Sequence, residues 1–365
     1  LEYHQGTLTT QARNKRANRK LEIALRELEW VAALATRMGF AYPYEALDAI
    51  WKEMLLYQFH DILPGSSITR VYDESLERYA VLLEQVQALT DEARAVLVGK
   101  IDTSGLQHPA VVTNSLSWER REWLHAGHVW LQASVPPMGF VALELASTSF
   151  DGAALRAEDT LLENDLLRVE FAADGSISSV FDKEHGREVL PEGAFANTLD
   201  VYDDAGNAWD FAFDYREQTP QRFELVSAAG SVEGPRVLLH QVYRFGSSSL
   251  SQHVILTLGS RRLDFITEVD WQENDKMLRT HFPVDIHTWE ATCDIKFGTI
   301  KRPTHTNTSW DMAKYEVAAH KFVDLSERDY GVALLNDCKY GYHVEQNVLD
   351  LNLLRSPGSP DPVAD

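Results

Sequence analysis

The tetrapeptide Gln58-Phe59-His60-Asp61 joins a nitrogen ligand to a carboxylate, two residue types that can bind a metal ion. A neutral imidazole and a carboxylate follow each other at the end of a predicted helix, where both could project into a cleft. A catalytic zinc needs about three protein ligands and an open position, and this segment offers at most two. Taken alone, it fits a structural role better, with His60 capping the helix and Asp61 beginning a turn.

Two other groups of residues could do chemistry. His125 and His128 would share a face on a helix, but their flanks are typical of a strand and a turn, so we expect them to point in different directions. Trp289, Trp310 and the run His305–Tyr315 could stack against a sugar and bond to it, but packing in a core or between domains fits them better. The sequence has no HExxH, CxxC, GxGxxG or GxSxG pattern, so nothing supports a nucleotide cofactor or a serine nucleophile.

Two predicted helices lead to the tetrapeptide. Apolar residues spaced alternately by four and three over residues 21–35 predict a helix that ends near Gly39. A second helix follows Pro43 and continues to about Phe59, after which Pro64–Ser67 must form a loop. The motif therefore falls where a helix gives way to a loop.

A third helix completes the helical region. It carries a heptad-like apolar series from Leu76 to Leu97. We predict a three-helix bundle over residues 21–100, preceded at residues 1–20 by the end of another domain or a linker. Five basic residues near the start fit a solvated helical face better than a binding patch: Arg13, Lys15, Arg16, Arg19 and Lys20.

From residue 110 onward the apolar period changes to two. Runs such as Leu166–Phe171 and Leu263–Val269, bounded by Gly, Asp, Asn and Pro, predict strands. We expect a large, mostly antiparallel β-sandwich region over residues 110–365, with the domain boundary at Lys100–Pro109. The turn-rich segment Ser356–Pro362 has no closing strand after it, which predicts a truncated C-terminus. The fold class is multidomain α and β.

Composition excludes several classes of function. The 55 acidic and 34 basic side chains give a net charge of -21, which disfavours nucleic acid as a partner. A mean hydropathy of -0.27 and the lack of a long apolar run disfavour a membrane anchor. Cys293 and Cys338 are too few for a disulfide framework and sit in apolar surroundings, so we expect buried thiols and a cytoplasmic protein. The chain begins on Leu1 without a signal-like segment, which predicts that upstream sequence is missing.

Four segments, in order, resemble glycoside hydrolase family 38 α-mannosidases of the cytosolic, vacuolar and bacterial branch. Residues 2–16 resemble the end of that family's catalytic domain running into its middle bundle, and Gln58–Ser66 resembles the bundle's active-site motif. Lys301–Asp311 (KRPTHTNTSWD) and Tyr330–Gly341 (YGVALLNDCKYG) are similar to signatures of the branch. The resemblance covers nearly the whole chain.

This resemblance implies a retaining exo-α-mannosidase that removes terminal α-linked mannose from glycans and holds one divalent metal, usually zinc. It implies that His60 is a metal ligand and that Asp61 contacts sugar hydroxyls. The other ligands, the nucleophile and the general acid belong to an N-terminal domain in that family and have no matching residues here. A retaining mechanism needs two carboxyl groups about 5–5.5 Å apart, so we expect no catalytic residues in this chain and no hydrolysis by it alone.

Two other functions remain open from the residues. The β region could be a noncatalytic carbohydrate-binding module with the helices as a spacer, or the third helix could assemble subunits through its heptad positions. In the enzyme interpretation the partner is a mannose-containing oligosaccharide, with no nucleic acid and no membrane. An exposed docking face would favour a homo-oligomer.

Overall fold

The computed structural model describes residues 3–361 of the chain. Leu1, Glu2 and residues 362–365 lie outside the described residues. The family-like segment that begins at Glu2 and the turn-rich segment that ends at Pro362 each lose one residue in this way. The structure contains α-helices and antiparallel β-sheets, as expected. None of the helices in the described range is both long and apolar enough to span a membrane.

Three long helices fill the first hundred residues. They are α1 (Ala12–Thr36), α2 (Tyr44–Tyr57) and α3 (Thr69–Val98). After α1 the chain reverses at Gly39, whose φ of +99° lies in the left-handed region that favours glycine. The second helix ends two residues before the predicted Phe59, and the third begins earlier than the predicted Leu76.

Each of these helices buries an apolar stripe in one shared core. Leu25, Leu28 and Ala32 of α1 pack in the same cluster as Ile50 and Met54 of α2, and α3 adds its own apolar face. The spacing that predicted the helices is therefore the spacing of their buried residues. Burial of such side chains contributes about 1.5–3 kcal/mol each.

The contacts divide the chain into two units. The helical unit comprises Ala17–Gln58 and Glu74–Gly152; the β-rich unit comprises the residues up to Arg16, Phe59–Asp73, and the chain from Ala153 onward. The domain boundaries predicted from the sequence, 1–20, 21–100 and 110–365, differ from this division. In the structure the first strands group with the helices, and the loop after α2 groups with the later strands.

Four strands belong to the helical unit. They are β1 (Pro109–Asn114), β2 (Arg120–Ala126), β3 (Val129–Val135) and β4 (Gly139–Glu144). β1 pairs with β4 and β2 pairs with β3, and they form no sheet with the later strands of the described chain. Alternate residues of β3, Leu131, Ala133 and Val135, are buried in a core of their own. These strands therefore form a local structure, which explains why they group apart from the later sheets.

The β-rich unit begins with a five-stranded sheet. Its strands are β5 (Arg156–Glu158), β6 (Leu161–Glu163), β7 (Leu167–Phe171), β8 (Ile177–Asp182) and β9 (Arg187–Glu188), paired in that order. A four-stranded sheet also pairs in order, and its strands are β12 (Glu224–Glu233), β13 (Arg236–Phe245), β14 (Ser248–Thr257) and β15 (Leu263–Asp270). The two sheets share a hydrophobic core, in which Val169 and Ile177 meet Leu239 and Val254.

A six-stranded sheet has the order β11-β10-β16-β23-β22-β19. Its strands are β10 (Thr198–Asp203), β11 (Gln221–Arg222), β16 (Lys276–Pro283), β19 (Val317–Ala318), β22 (Gly341–Glu345) and β23 (Val348–Arg355). The last sheet has the order β18-β17-β20-β21, and its strands are β17 (Glu290–Ile295), β18 (Gly298–Pro303), β20 (Phe322–Ser326) and β21 (Gly331–Leu335). A short helix, α4 (Ser309–Met312), precedes β19.

The two cysteines are buried and neither forms a disulfide, as the sequence predicted. Cys293 lies in the core shared by the last two sheets, beside Val323 and Leu351. Burial raises the pKa of its thiol, which keeps it protonated and unreactive.

Candidate functional site

The loop that follows α2 contains the predicted site residues. It turns tightly, with the Ile62 N–H donating to the Phe59 carbonyl (2.9 Å) and the Gly65 N–H donating to the Ile62 carbonyl (3.0 Å). Gly65 has a φ of +97°, and a Cβ there would lie 2.8 Å from Cγ2 of Thr10. Only glycine fits both the backbone conformation and the close approach of Thr10.

A buried lysine holds this loop in place. Lys15 on the first turn of α1 donates from Nζ to the Leu63 carbonyl (2.8 Å) and the Pro64 carbonyl (3.3 Å), and also to the carbonyl of Thr10. The prediction of a solvated basic face is wrong for Lys15 and Arg19, which are both buried. The Lys15 ammonium group can be buried because it donates to backbone carbonyls that take no part in a helix or a sheet.

His60 and Asp61 project from the loop into solvent. Their side chains are 77% and 54% exposed, and His60 Nε2 lies 3.6 Å from an Asp61 carboxylate oxygen. The ring of Phe59 contacts the imidazole at a centroid distance of 4.1 Å. The buried Tyr72 supports the backbone beneath them, since its hydroxyl donates to the Asp61 carbonyl (3.4 Å).

The imidazole of His60 and the carboxylate of Asp61 could supply part of the ligand set of a metal site. Within residues 3–361 no group of three or more His, Cys, Asp and Glu side chains is placed to hold a metal ion. An exposed imidazole next to a carboxylate can supply one or two ligands, whereas zinc takes about three from the protein. A complete site would therefore need donors from elsewhere.

The other predicted histidine pair forms no such site. His125 lies in β2 and stacks on Trp130 of β3, with ring centroids 4.5 Å apart. A hairpin turn at Gly127, with a φ of +63°, separates it from His128. The expectation of strand and turn flanks is confirmed.

Trp289 and Trp310 are both on the surface. They are 77% and 72% exposed, so packing in a core is wrong for both, while packing between domains stays a prediction. Trp289 precedes β17, and Trp310 lies in α4, whose N-terminus is capped by Thr308 and Asp311 in a reciprocal capping box.

The N-terminal segment docks on the connection after β10. The Gln5 N–H donates to a carboxylate oxygen of Asp210 (3.0 Å), and His4 Nδ1 lies 3.4 Å from the other oxygen. The Gly6 N–H donates to the Trp209 carbonyl (2.8 Å). His4 has a φ of 55°, which is uncommon for a residue with a side chain and is maintained here by the contacts on both sides.

A fully buried arginine joins this segment to the end of β23. Arg355 donates from Nε to Asp204 (2.7 Å) and from Nη1 to the hydroxyl of Thr10 (3.1 Å). Because Thr10 also contacts Gly65, the His60 loop and the N-terminal segment rest on the same support. Sequence reasoning missed Arg355 and Asp204, which lie 151 residues apart.

A second buried network lies on β16 and β23. Arg279 donates to Asp350 and to Glu316, each at 2.8 Å, and all three side chains are buried. The N-terminal segment reaches this network through Gln5, whose side-chain oxygen accepts from the Glu316 N–H (2.9 Å). The available signal was a charged residue between apolar neighbours, as at Asp350 in the run Val348–Arg355.

His281 completes the network. Its ring nitrogens lie 3.1 Å from Asp200 and 3.3 Å from Asp350. Burial alone would lower its pKa, but the two carboxylates outweigh burial and raise the pKa to about 9. The imidazole is therefore a cation at neutral pH and balances the buried carboxylates.

Comparison with known proteins gives two family matches. Residues 2–97 match the family described as the α-mannosidase middle domain, and residues 162–363 match the C-terminal domain of glycosyl hydrolases family 38. The second match alone covers more than half of the chain.

Several curated proteins are similar over the whole chain. Alpha-mannosidase 2C1 of Mus musculus is 36% identical over 389 aligned residues, which cover 100% of this chain and 37% of that protein. Alpha-mannosidase of Saccharomyces cerevisiae is 32% identical, with 100% and 34% coverage. The chain thus spans little more than a third of the length of these relatives.

Solved structures share the fold. The crystal structure of an alpha-mannosidase from Enterococcus faecalis V583 superposes with a TM-score of 0.82 at 18% identity, over 97% of this chain and 52% of that one. A family 38 glycosyl hydrolase from Enterococcus faecalis gives a TM-score of 0.81. Because the C-terminal domain of glycosyl hydrolases family 38 matches more than half of its residues, the chain belongs to that family.

Proposed function

We propose that this chain is the middle and C-terminal part of a retaining exo-α-mannosidase that hydrolyses terminal α-linked mannose from glycans. In this proposal the helices form the family's three-helix middle bundle and the later strands its β-sandwich domain. The observation that carries the proposal is the exposed pair His60 and Asp61, presented on a loop that Lys15 and Gly65 hold firmly. A pre-organised pair of this kind suits a site completed by another domain.

His60 supplies one ligand to a divalent cation, with zinc as the metal, and Asp61 accepts hydrogen bonds from the hydroxyls of the terminal mannose. Exposure of both side chains supports this assignment, since His60 Nε2 and the Asp61 carboxylate 3.6 Å from it are open to a metal and a sugar. The metal would bind sugar hydroxyls and favour a distorted ring. The remaining ligands come from an N-terminal domain.

The catalytic carboxylates also lie on that domain. Retention requires a nucleophile and a general acid about 5–5.5 Å apart. The chain contributes the metal ligand and the sugar contact, so we expect it to be inactive by itself. The working protein acts on mannose-containing oligosaccharides in the cytoplasm, where the buried thiols of Cys293 and Cys338 stay reduced.

A noncatalytic carbohydrate-binding module is the second candidate. Exposed Trp289 and Trp310 favour it, because exposed tryptophans are suited to stacking on sugar rings. This candidate predicts glycan binding that does not depend on His60.

Metal content of the complete polypeptide tests the proposal. His60→Ala should lose bound zinc and the hydrolysis of an aryl α-mannoside together, because the metal loses a ligand. His128→Ala is the matched control, since it removes a surface histidine from a hairpin turn and should change neither quantity. Normal zinc content in the His60→Ala protein would overturn the assignment.

A further inference from the structure

Two neighbouring clefts on the β-rich unit form one groove, which we call the aromatic groove. The first has a volume of about 280 Å³ and lies between the segment Phe213–Glu217, the end of α4 with the residues after it, and the strand β22. The second has a volume of about 410 Å³ and lies beside Trp289. Pro303 and His305 line both clefts, so a ligand can extend from one into the other.

Aromatic side chains stand at both ends of the groove. Trp289 is 77% exposed at one end and Phe213 is 63% exposed at the other. Phe213 contacts the ring of Tyr315, which also lines the cleft, at a centroid distance of 6.5 Å. His305 meets Trp289 edge to face at 6.3 Å. Exposed rings of this size are unfavourable in water and offer flat surfaces on which the C–H face of a sugar can stack.

The wall of the first cleft holds polar groups that are only partly satisfied. Arg216 Nη1 and Arg302 Nε are buried and have no hydrogen-bond partner. Arg216 Nη1 is 3.9 Å from the Glu345 carboxylate, too far for a hydrogen bond. The Arg216 and Glu345 side chains as a whole are 32% and 34% exposed, so the accessible N–H groups of Arg216 and the carboxylate of Glu345 can bond to hydroxyls of a ligand in the cleft.

A buried histidine fixes the acceptor in this wall. His343 lies 2.6 Å from the Tyr315 carbonyl through Nδ1 and 3.3 Å from Glu345 through Nε2. The hydrogen bond to His343 is the main reason that the pKa of Glu345 is lowered, so this side chain is a carboxylate acceptor at neutral pH. The cleft thus offers N–H donors and a carboxylate acceptor, and a sugar hydroxyl can both accept and donate.

The charges of the first cleft are nearly balanced. Its permanently charged side chains are three cations and four carboxylates: Arg216, Arg302, Lys314, Asp214, Glu217, Asp311 and Glu345. Lys314 is also close to Asp311, at 3.8 Å. A cleft built for phosphate or another anion would carry a clear excess of positive charge, which this one does not. An uncharged ligand fits best.

We propose that the aromatic groove binds an uncharged oligosaccharide, stacking sugar rings on Trp289 and Phe213 and bonding hydroxyls to Arg216 and Glu345. The groove is lined by residues other than His60 and Asp61. The proposal rests on the carbohydrate-binding candidate given under the proposed function and assigns it a site, and its ligand does not require the metal.

Titration of the 365-residue chain with α-linked mannotriose tests this proposal, with binding followed by calorimetry and by saturation-transfer NMR. Trp289→Ala and Phe213→Ala should each weaken binding about tenfold, the loss expected when a stacked ring is removed. Trp118→Ala and Phe297→Ala are the matched controls, since both remove exposed rings outside the groove and should leave the affinity unchanged. All four variants should keep the wild-type melting temperature.

The proposal would be overturned if the chain did not bind mannotriose at millimolar concentration, or if the groove variants and the controls bound it equally well. Loss of binding only in His60→Ala would overturn it too. Preference for mannose 6-phosphate over mannose, weakened by salt, would also contradict it, because the groove would then select an anion. Loss of zinc in His60→Ala with unchanged mannotriose binding supports both proposals. Zinc retention in His60→Ala with binding lost in Trp289→Ala supports the groove alone.

Discussion

Arg355 and Asp204 form an ion pair in which both side chains are fully buried, with Nε of the arginine 2.7 Å from the carboxylate. The same guanidinium bonds to Thr10 and so joins the N-terminal segment to the last strand. Through Thr10, the pair therefore contacts the segment that supports the His60 loop. Removing the Arg355 side chain should weaken that support.

Arg355→Met should destabilise the chain by about 3–5 kcal/mol, because Asp204 would remain as an unpaired buried carboxylate. Urea unfolding measures this as a lower free energy of unfolding. Arg262→Met is the control, since it breaks an exposed pair with Asp264 at 2.7 Å and should cost less than about 1 kcal/mol. Similar losses in the two variants would contradict the assignment of Arg355.

The stability of the chain should fall as the pH rises through the titration of His281. Its pKa is raised from 6.5 to about 9 in the folded protein, so protonation favours the folded state. This contribution is fully present below about pH 6.5 and is lost as pH approaches 9, and it is on the order of 3 kcal/mol.

Free energies of unfolding at pH 6 and pH 9, for wild type and His281→Gln, isolate this effect. Other titrating groups contribute to both proteins, so the difference between the two pH dependences reports His281. A His281→Gln protein with the same pH dependence as wild type would show that the imidazole does not carry the linkage.

Gly65→Ala should destabilise the His60 loop more than Gly39→Ala destabilises the end of α1. Both glycines have left-handed φ values, +97° and +99°, so both variants carry backbone strain of about 1 kcal/mol or more. Only at Gly65 would the new Cβ meet another residue, at 2.8 Å from Thr10, whereas nothing lies within 4 Å at Gly39. Thermal unfolding of both variants measures the difference, and equal losses would mean that the loop moves away from Thr10 at little cost.

Lys15→Met should loosen the loop without unfolding the chain. The carbonyls of Leu63 and Pro64 would lose a buried donor, at a cost of about 1–3 kcal/mol. Limited proteolysis should then cut faster between residues 59 and 67. Arg16→Met, which changes an exposed neighbour, should leave the cleavage rate unchanged.

Asp61→Asn in the complete polypeptide should lower kcat/KM for an aryl α-mannoside roughly tenfold to a hundredfold, the range expected for losing a hydrogen bond to a charged acceptor. Bound zinc should remain near the wild-type content, because His60 still supplies its ligand. This split between activity and metal content separates the two roles. Full activity in Asp61→Asn would remove the sugar contact from the proposal.

The sequence by itself determined the family, the three helices and the strand-rich remainder. Local patterns suffice for these, because the stripe of α1 and the spacing of α2 record which residues each helix buries. The motif Gln58–Ser66 identified the His60 loop in the same way, and the apolar flanks of Cys293 predicted its burial.

The tertiary structure decided which polar residues are buried and which aromatic residues are exposed. Lys15 lies in a run of basic residues that reads as a solvated face, yet it is buried because Leu63 and Pro64 present carbonyls to it from 48 and 49 residues away. The sequence favoured packing of Trp289 in a core or between domains, yet in the structure its side chain is exposed at the edge of a groove. Hydrophobic periodicity reports only which face of a helix or strand is apolar. The free energy of burying a charge or exposing a ring depends on partners that the fold brings together from distant parts of the chain.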